Sequence, residues 1–226
     1  RVLALANKEQ RGYVTPQEFN LFANQAQQEI FEQYFYDLNQ VARIPGNEYV
    51  YADADDMLEE KLQIFENQDD GTDIIGYASA PGPQVKVLPN YIYRVYRIEL
   101  DNINCEILKT KDFQNAINGG PLIKPTTLKP IANIRENNMR VSIGSPIRPT
   151  GIFYFKKPSK VKWGYVIVNK KALYDPGYTT NFELHQSEES ELVYKILKFA
   201  GLSMKREDIV RAGQGMEAAQ IQQEKQ

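Results

Sequence analysis

Apolar residues recur three or four positions apart early in the chain, at Phe19, Phe22, Ala26, Ile30, Tyr34, Leu38 and Val41. That is the period of one face of an α-helix. Asn20, Asn24, Gln27, Gln28 and Glu32 fall between them and are expected to cover the other, solvent side. Thr15-Pro16-Gln17-Glu18 marks the start of this helix. Thr15 is a candidate N-cap, Pro16 sits where its missing N–H costs nothing, and Glu18 can close a capping box. Pro45-Gly46 marks the stop. A second helical pattern over 53–67 puts Met57, Leu58, Leu62 and Phe65 on one side. Asp53, Asp55 and Asp56 would lie in its first turn, where the helix dipole favours anions. Leu3, Leu5 and Ala6 read as a shorter helix ahead of Gly12.

Past Pro81-Gly82-Pro83 the texture changes to β-branched and aromatic runs bounded by turn residues. Strands are expected at 85–88, 91–98, 131–134, 140–143, 151–155 and 162–168, with a short helix at 111–118 ending at Gly119-Gly120-Pro121. Seven prolines between 121 and 176 favour short strands and edges over one long sheet. Helix returns at Ser187. Leu192, Val193, Ile196, Leu197, Phe199 and Ala200 form its apolar stripe, and Gly201 can end it as the C′ residue. The tail from Ser203 to Gln226 is helix-permissive but polar, with Met204, Ile209, Met216 and Ile221 spread along it. The expected fold is α+β: a helical bundle from the N- and C-terminal helices, an inserted small antiparallel β-sheet or barrel, and a projecting C-terminal helix. Its parts are 1–80 (helical), 81–171 (β-rich insertion) and 172–226 (helices completing the bundle, and the tail).

Charge alters this picture. The total is only −2, yet residues 1–80 hold five Lys/Arg against fifteen Asp/Glu, and residues 121–171 hold eleven Lys/Arg against Glu136 alone. Like charges crowded on one surface repel, whereas an acidic face that meets the basic face of an identical neighbour gains register and a faster encounter. An assembly subunit is therefore expected. Aromatics are rich, with fourteen Tyr and ten Phe, and Tyr suits either surfaces that become buried against partners or ordinary half-buried strands. The basic group Lys156, Lys157, Lys160, Lys162, Lys170 and Lys171 is interleaved with Phe155, Trp163 and Tyr165. Three readings stand for it: a solvated hairpin tip at 156–160, a face for an acidic neighbour, or a module for single-stranded nucleic acid.

Catalytic chemistry finds little support. Cys105 is the only cysteine, so there is neither a disulfide framework nor a zinc set, which points to a reducing compartment. Cys105 and His185 could form a dyad only if the fold brought them together, and His185 reads better as a structural residue before a helix. The acids at 53–60 lack a glycine-centred calcium loop, and neither Gly119-Gly120 nor Gly213-Gln214-Gly215 matches a phosphate-cradling loop. No apolar run reaches the length of a membrane span, and no secretory pattern opens the chain. The expectation is a soluble, cytoplasmically made, non-enzymatic protein without metal or cofactor.

Two stretches resemble a known group of proteins. Asn7-Lys8-Glu9-Gln10-Arg11-Gly12-Tyr13-Val14-Thr15-Pro16-Gln17-Glu18-Phe19-Asn20 is similar to the opening of structural proteins from short-tailed, crAss-like and related phages. Glu183-Leu184, Glu191-Leu192-Val193-Tyr194-Lys195-Ile196-Leu197, Ala200-Gly201 and the Gln/Ala/Glu-rich tail resemble their closing segment. In that group the arrangement is similar to head–tail connector (adaptor, or ring) proteins. The resemblance implies a ring, commonly of twelve copies, beneath the portal protein and against adjacent tail or ring proteins, with DNA passing through its lumen. It implies a place in the virion neck after assembly in the host cytoplasm, and no catalytic residues. Ile209, Met216 and Ile221 are then the candidate contacts with the portal or the adjacent subunit. The six lysines are candidates for facing a neighbour or DNA.

Overall fold

A computed structural model describes residues 14–41, 49–69, 84–100, 102–142, 149–169, 171–203, 214–216 and 218. The chain is mixed α+β and divides into two compact units. One comprises Arg1–Ile64 with Pro158–Gln226 (the helical unit), and the other Phe65–Lys157 (the sheet unit). The β-rich stretch was expected at 81–171, but the junctions fall earlier at both ends. Residues 66–69 pair into a sheet, and 159–163 are hydrogen-bonded to a helix.

In the helical unit, α1 (Pro16–Val41) starts as its sequence requires. The Thr15 N–H donates to Glu18 Oε2 at 2.9 Å, and the Glu18 N–H donates to Thr15 Oγ1 at 3.2 Å. The Thr15 N–H, with the Thr15 hydroxyl that donates to the same oxygen at 2.8 Å, holds the Glu18 carboxyl below its ordinary range. The α1 core face is Ala23, Ala26, Ile30, Phe31 and Tyr34, all buried, and it packs on α2 (Tyr49–Gln63) and α4 (Glu189–Ser203). α2 begins four residues before Asp53, so its acids lie beyond the first turn and the dipole does not explain them. Among its described side chains Leu62 is buried, while Met57 is exposed, contrary to its expected place on the apolar side. α4 buries Leu192, Ile196, Leu197 and Ala200 and runs through Gly201 to Ser203, so Gly201 packs within the helix instead of ending it.

Two ion pairs tie α2 to the start of α4 and stiffen α4 itself. Lys61 Nζ lies 2.6 Å from Glu188 Oε1, with Glu188 fully enclosed, and Lys195 Nζ lies 3.3 Å from Glu191 Oε1. Burial raises the Glu191 carboxyl to about 6 from 4.5, against the pull of Lys195. A carboxyl with a raised folded pKa stabilises the fold fully below its unfolded value, and that contribution is lost as pH climbs through the folded value. The helical unit is therefore expected to gain stability between about pH 7 and about pH 5 through this group. Glu191→Gln should flatten the trend, which urea midpoints taken across that range will show.

In the sheet unit, one four-stranded antiparallel sheet has the order β1-β8-β3-β4, from Glu66–Asp69, Pro149–Lys156, Ile92–Leu100 and Ile103–Asn104. The other has the order β2-β7-β6-β5, from Gln84–Val87, Asn138–Ser142, Ile131–Arg135 and Glu106–Ile107, with β5 and β6 parallel. β1 takes residues expected at a helix end, because pairing with β8 outweighs their weak local preference. Cys105 joins β4 to β5 and is where the chain leaves one sheet for the other. Its N–H donates to the Ile98 carbonyl at 2.8 Å. The two sheets share a core of Ile92, Val95, Ile98, Leu100, Ala132, Met139, Val141, Ile152 and Tyr154. α3 (Thr110–Asn118) closes a smaller cluster through Phe113 and Ala116 against Ile131. The sheets stay open, so of the two expected forms the sheet is found and the barrel is not, among the described residues.

A candidate assembly surface

Asn20, Asn24 and Gln27 do not face solvent as expected. They form a ladder that holds an extended segment, 159–163, along α1. The Val161 N–H donates to Asn24 Oδ1 and Asn24 Nδ2 donates to the Val161 carbonyl, both at 2.8 Å. Asn20 repeats this around Trp163, accepting its N–H at 2.7 Å and donating to its carbonyl at 3.4 Å. Gln27 donates to the Ser159 carbonyl at 2.8 Å and accepts the Glu183 N–H at 3.0 Å, while the Glu183 carboxylate takes the Ser159 N–H at 2.7 Å. Geometry permits the match. Four helical residues rise about 6 Å, and two extended residues span about 6.6 Å. Gln27, only three residues after Asn24, makes up the shorter rise with its longer side chain. Two asparagines inside a helix, where their propensity is poor, were the signal available in the sequence.

The ladder presents a hairpin. β9 (Tyr165–Val168) and β10 (Lys171–Tyr174) pair antiparallel with Val168 opposite Lys171, leaving a two-residue turn in which Asn169 takes φ 50°. Asparagine tolerates this left-handed conformation, which tight hairpins require. At the base, Trp163 stacks on Tyr165 at 5.8 Å and on Tyr174 at 6.4 Å, and Phe19 meets its edge at 6.4 Å. Residues 175–180 clamp the same point. The Asp175 N–H donates to the Gly164 carbonyl at 3.0 Å, and Lys162 and Thr180 exchange backbone bonds. A Cβ on Gly164 would lie 2.5 Å from the Tyr178 carbonyl carbon and 2.7 Å from the Asp175 oxygen. Both are backbone atoms that cannot swing aside. Gly164→Ala is expected to lower the stability of the helical unit by about 3 kcal/mol, read as a drop in the urea midpoint.

Beyond this base the hairpin is apolar and exposed on both faces. Ile167 is 68% exposed, and Val166, Val168, Leu173 and Tyr174 are also open. By register, Ile167 with Tyr165 and Tyr174 lies on one face, and Val166 with Leu173 on the other. An isolated two-stranded ribbon is marginal in water, and an exposed apolar strand edge such as that of β9 invites pairing. Such a ribbon, rigidly mounted at its base, is suited to burial against another chain. In the sheet unit, the loop between α3 and β6 likewise exposes Leu122, Ile123 and Leu128.

The basic group is not one patch on one unit. Lys156 ends β8 and Lys157 donates through Nζ to the Asn90 carbonyl at 3.0 Å, both in the sheet unit. Lys160 and Lys162 belong to the helical unit and are exposed, with Lys162 Nζ 6.0 Å from the centre of the Tyr178 ring. The 156–160 stretch is therefore no hairpin tip: Ser159 is bonded to Gln27 of α1, and the turn of the β9–β10 hairpin is at Asn169. Lys171 lies on β10, and Lys170 is outside the described residues. Met216 is exposed in a helical piece at 214–216, while Ile209 and Ile221 lie outside the described residues, as do Leu3, Leu5 and Ala6.

The residues weighed for catalysis are held structurally. Burial pushes the Cys105 thiol up to about 12, so it is protonated near neutral pH and a poor nucleophile. His185 caps the short 3-10 helix Gln186–Glu188, its Nδ1 accepting the Ser187 N–H at 3.3 Å. Among the described residues no three His, Cys, Asp or Glu side chains converge as a metal site, and no helix is long and apolar enough to cross a membrane. Compared with known proteins, no family model matches the chain and no curated protein matches it.

Proposed function

We propose that this chain is a structural subunit of a phage neck, forming a ring between portal and tail that seals and extends the DNA channel. The observation that carries this reading is the β9–β10 hairpin, apolar on both faces, open to solvent and clamped at its base. A fold that builds so stiff a mount for so exposed a ribbon is organised for a partner. The resemblance to head–tail connectors supplies the identity of the assembly. Its two stretches, remote in sequence, contribute α1 and α4, which pack together in the helical unit. In this reading α1, α2 and α4 are the bundle of the ring wall, and the polar C-terminal segment with Ile209, Met216 and Ile221 projects to the portal. A closed ring, commonly of twelve copies, gives a subunit of the virion neck, assembled in the host cytoplasm.

Nucleic-acid binding, the other reading of the basic segment, is disfavoured by its aromatics. Both the Trp163 and Tyr165 rings are engaged in the stack at the hairpin base, and Phe155 is buried. That leaves fewer free ring faces in the basic segment for the base stacking that sequence-tolerant binding needs.

Native mass spectrometry of the purified chain, alone and mixed with the portal protein of its phage, tests the proposal. The expected result is a closed ring, formed alone or on the portal. A chain that stays monomeric at high concentration in both conditions overturns it.

A further inference from the structure

The hairpin needs an occupant for its faces, and a second flank of the same unit has the matching character. Around α1, the ladder residues Asn20, Asn24 and Gln27 mark the flank that carries the hairpin. Roughly a third of a turn away lies an exposed stripe of Leu21, Gln25, Glu32 and Tyr36, flanked by Glu29. Leu21 is 64% and Tyr36 59% exposed, large apolar side chains that a free helix surface does not require. α1 contains Glu18, Glu29, Glu32 and Asp37 and no basic residue. Residues 158–171 contain Lys160, Lys162, Lys170 and Lys171 and no acidic residue. One limb is thus apolar with lysines, and the other carries carboxylates between two exposed apolar side chains.

The two surfaces lie on different flanks of one unit, and the hairpin is fixed to its own flank by the ladder and the aromatic stack. A chain therefore cannot fold its hairpin onto its own stripe without breaking those bonds. A second copy can receive it. Because each copy then offers one hairpin and one stripe, the contact is head-to-tail, which closes into a ring when the rotation per step divides a full turn. We infer that the β9–β10 hairpin of one copy docks on the outer stripe of α1 of the next, with Lys160 and Lys162 of the segment leading into the hairpin facing that helix's carboxylates. This inference rests on the proposed ring and names its interface.

Paired cysteines separate the failure of the interface from the failure of the ring. Ile167→Cys and Gln25→Cys are exposed positions, and the native Cys105 is buried in the sheet unit. Under mild oxidation, an equimolar mixture of the two single variants should give a disulfide-linked dimer that neither gives alone. The double variant should give a series of linked multimers ending at the ring. Reversing charge with Glu29→Lys and Glu32→Lys should weaken assembly at least tenfold, and Lys160→Glu with Lys162→Glu in the same chain should restore it. Rings by native mass without a 25–167 link, or with 167–167 links only, overturn the interface and leave the ring standing. Absence of any particle larger than the monomer, alone or on the portal, overturns both.

Discussion

An Asn24→Leu chain is expected to lose about 3 kcal/mol of stability in its helical unit and to release the segment that carries the hairpin. Asn24 is bonded to both backbone groups of Val161, and Val161 is buried. Leucine leaves a buried N–H and a buried carbonyl without partners, each worth about 1–3 kcal/mol. Opposing this is the better helix propensity of leucine, at most about 0.7 kcal/mol, so the orphaned groups decide the sign. Asn24→Asp keeps an acceptor for the Val161 N–H and loses the donor, and should fall between the two. Trp163, the only tryptophan, sits at the end of the ladder, so its fluorescence reports both the unfolding midpoint and local release of the segment. An unchanged midpoint and an unchanged emission maximum in Asn24→Leu would show that the ladder is ornamental.

Replacing Ile167 and Leu173 together by lysine is expected to abolish assembly and leave the monomer intact. The two lie on opposite faces of the hairpin, so whichever face is covered acquires a charge. Both are more than half exposed, and substitutions at exposed positions usually shift stability by less than about 0.5 kcal/mol. In an interface, burying each such side chain is worth about 1.5–3 kcal/mol. Losing even one weakens association by about a factor of ten to a hundred, before the cost of burying a charged amine. Sedimentation velocity, with circular dichroism as the control for folding, checks both halves. Normal rings in the double variant would remove the hairpin from the interface, and an unfolded monomer would make it part of the core.

Much of the secondary structure is local chemistry and was legible for that reason. The capping box of Thr15 and Glu18 involves residues three apart, and α1 follows from its own apolar period to Val41. The strands at 84–87, 92–100, 131–135, 138–142 and 149–156 follow from β-branched and aromatic runs between turn residues. β3 shows where local reading stops. Its buried residues Ile92, Val95 and Ile98 recur every third position, a spacing that suits a helix better than a flat strand. Pairing with β8 makes Tyr93 and Tyr96 extra, bulged residues, and each bulge resets the alternation.

The sorting of charge, the single cysteine and the amphipathic helices belong to the sequence by itself, because each depends only on which residues are present and how near they stand along the chain. The side of α1 on which Asn24 works, the hairpin built from 165–174 and the burial of Cys105 were decided only in three dimensions. Asn24 and Val161 are 137 residues apart, and nothing in either neighbourhood announces the other. A side-chain amide gains little where water can replace its partner, and it becomes decisive only when the fold encloses both groups of a backbone it can reach. That enclosure turned an apparently polar surface into the mount for an apolar ribbon.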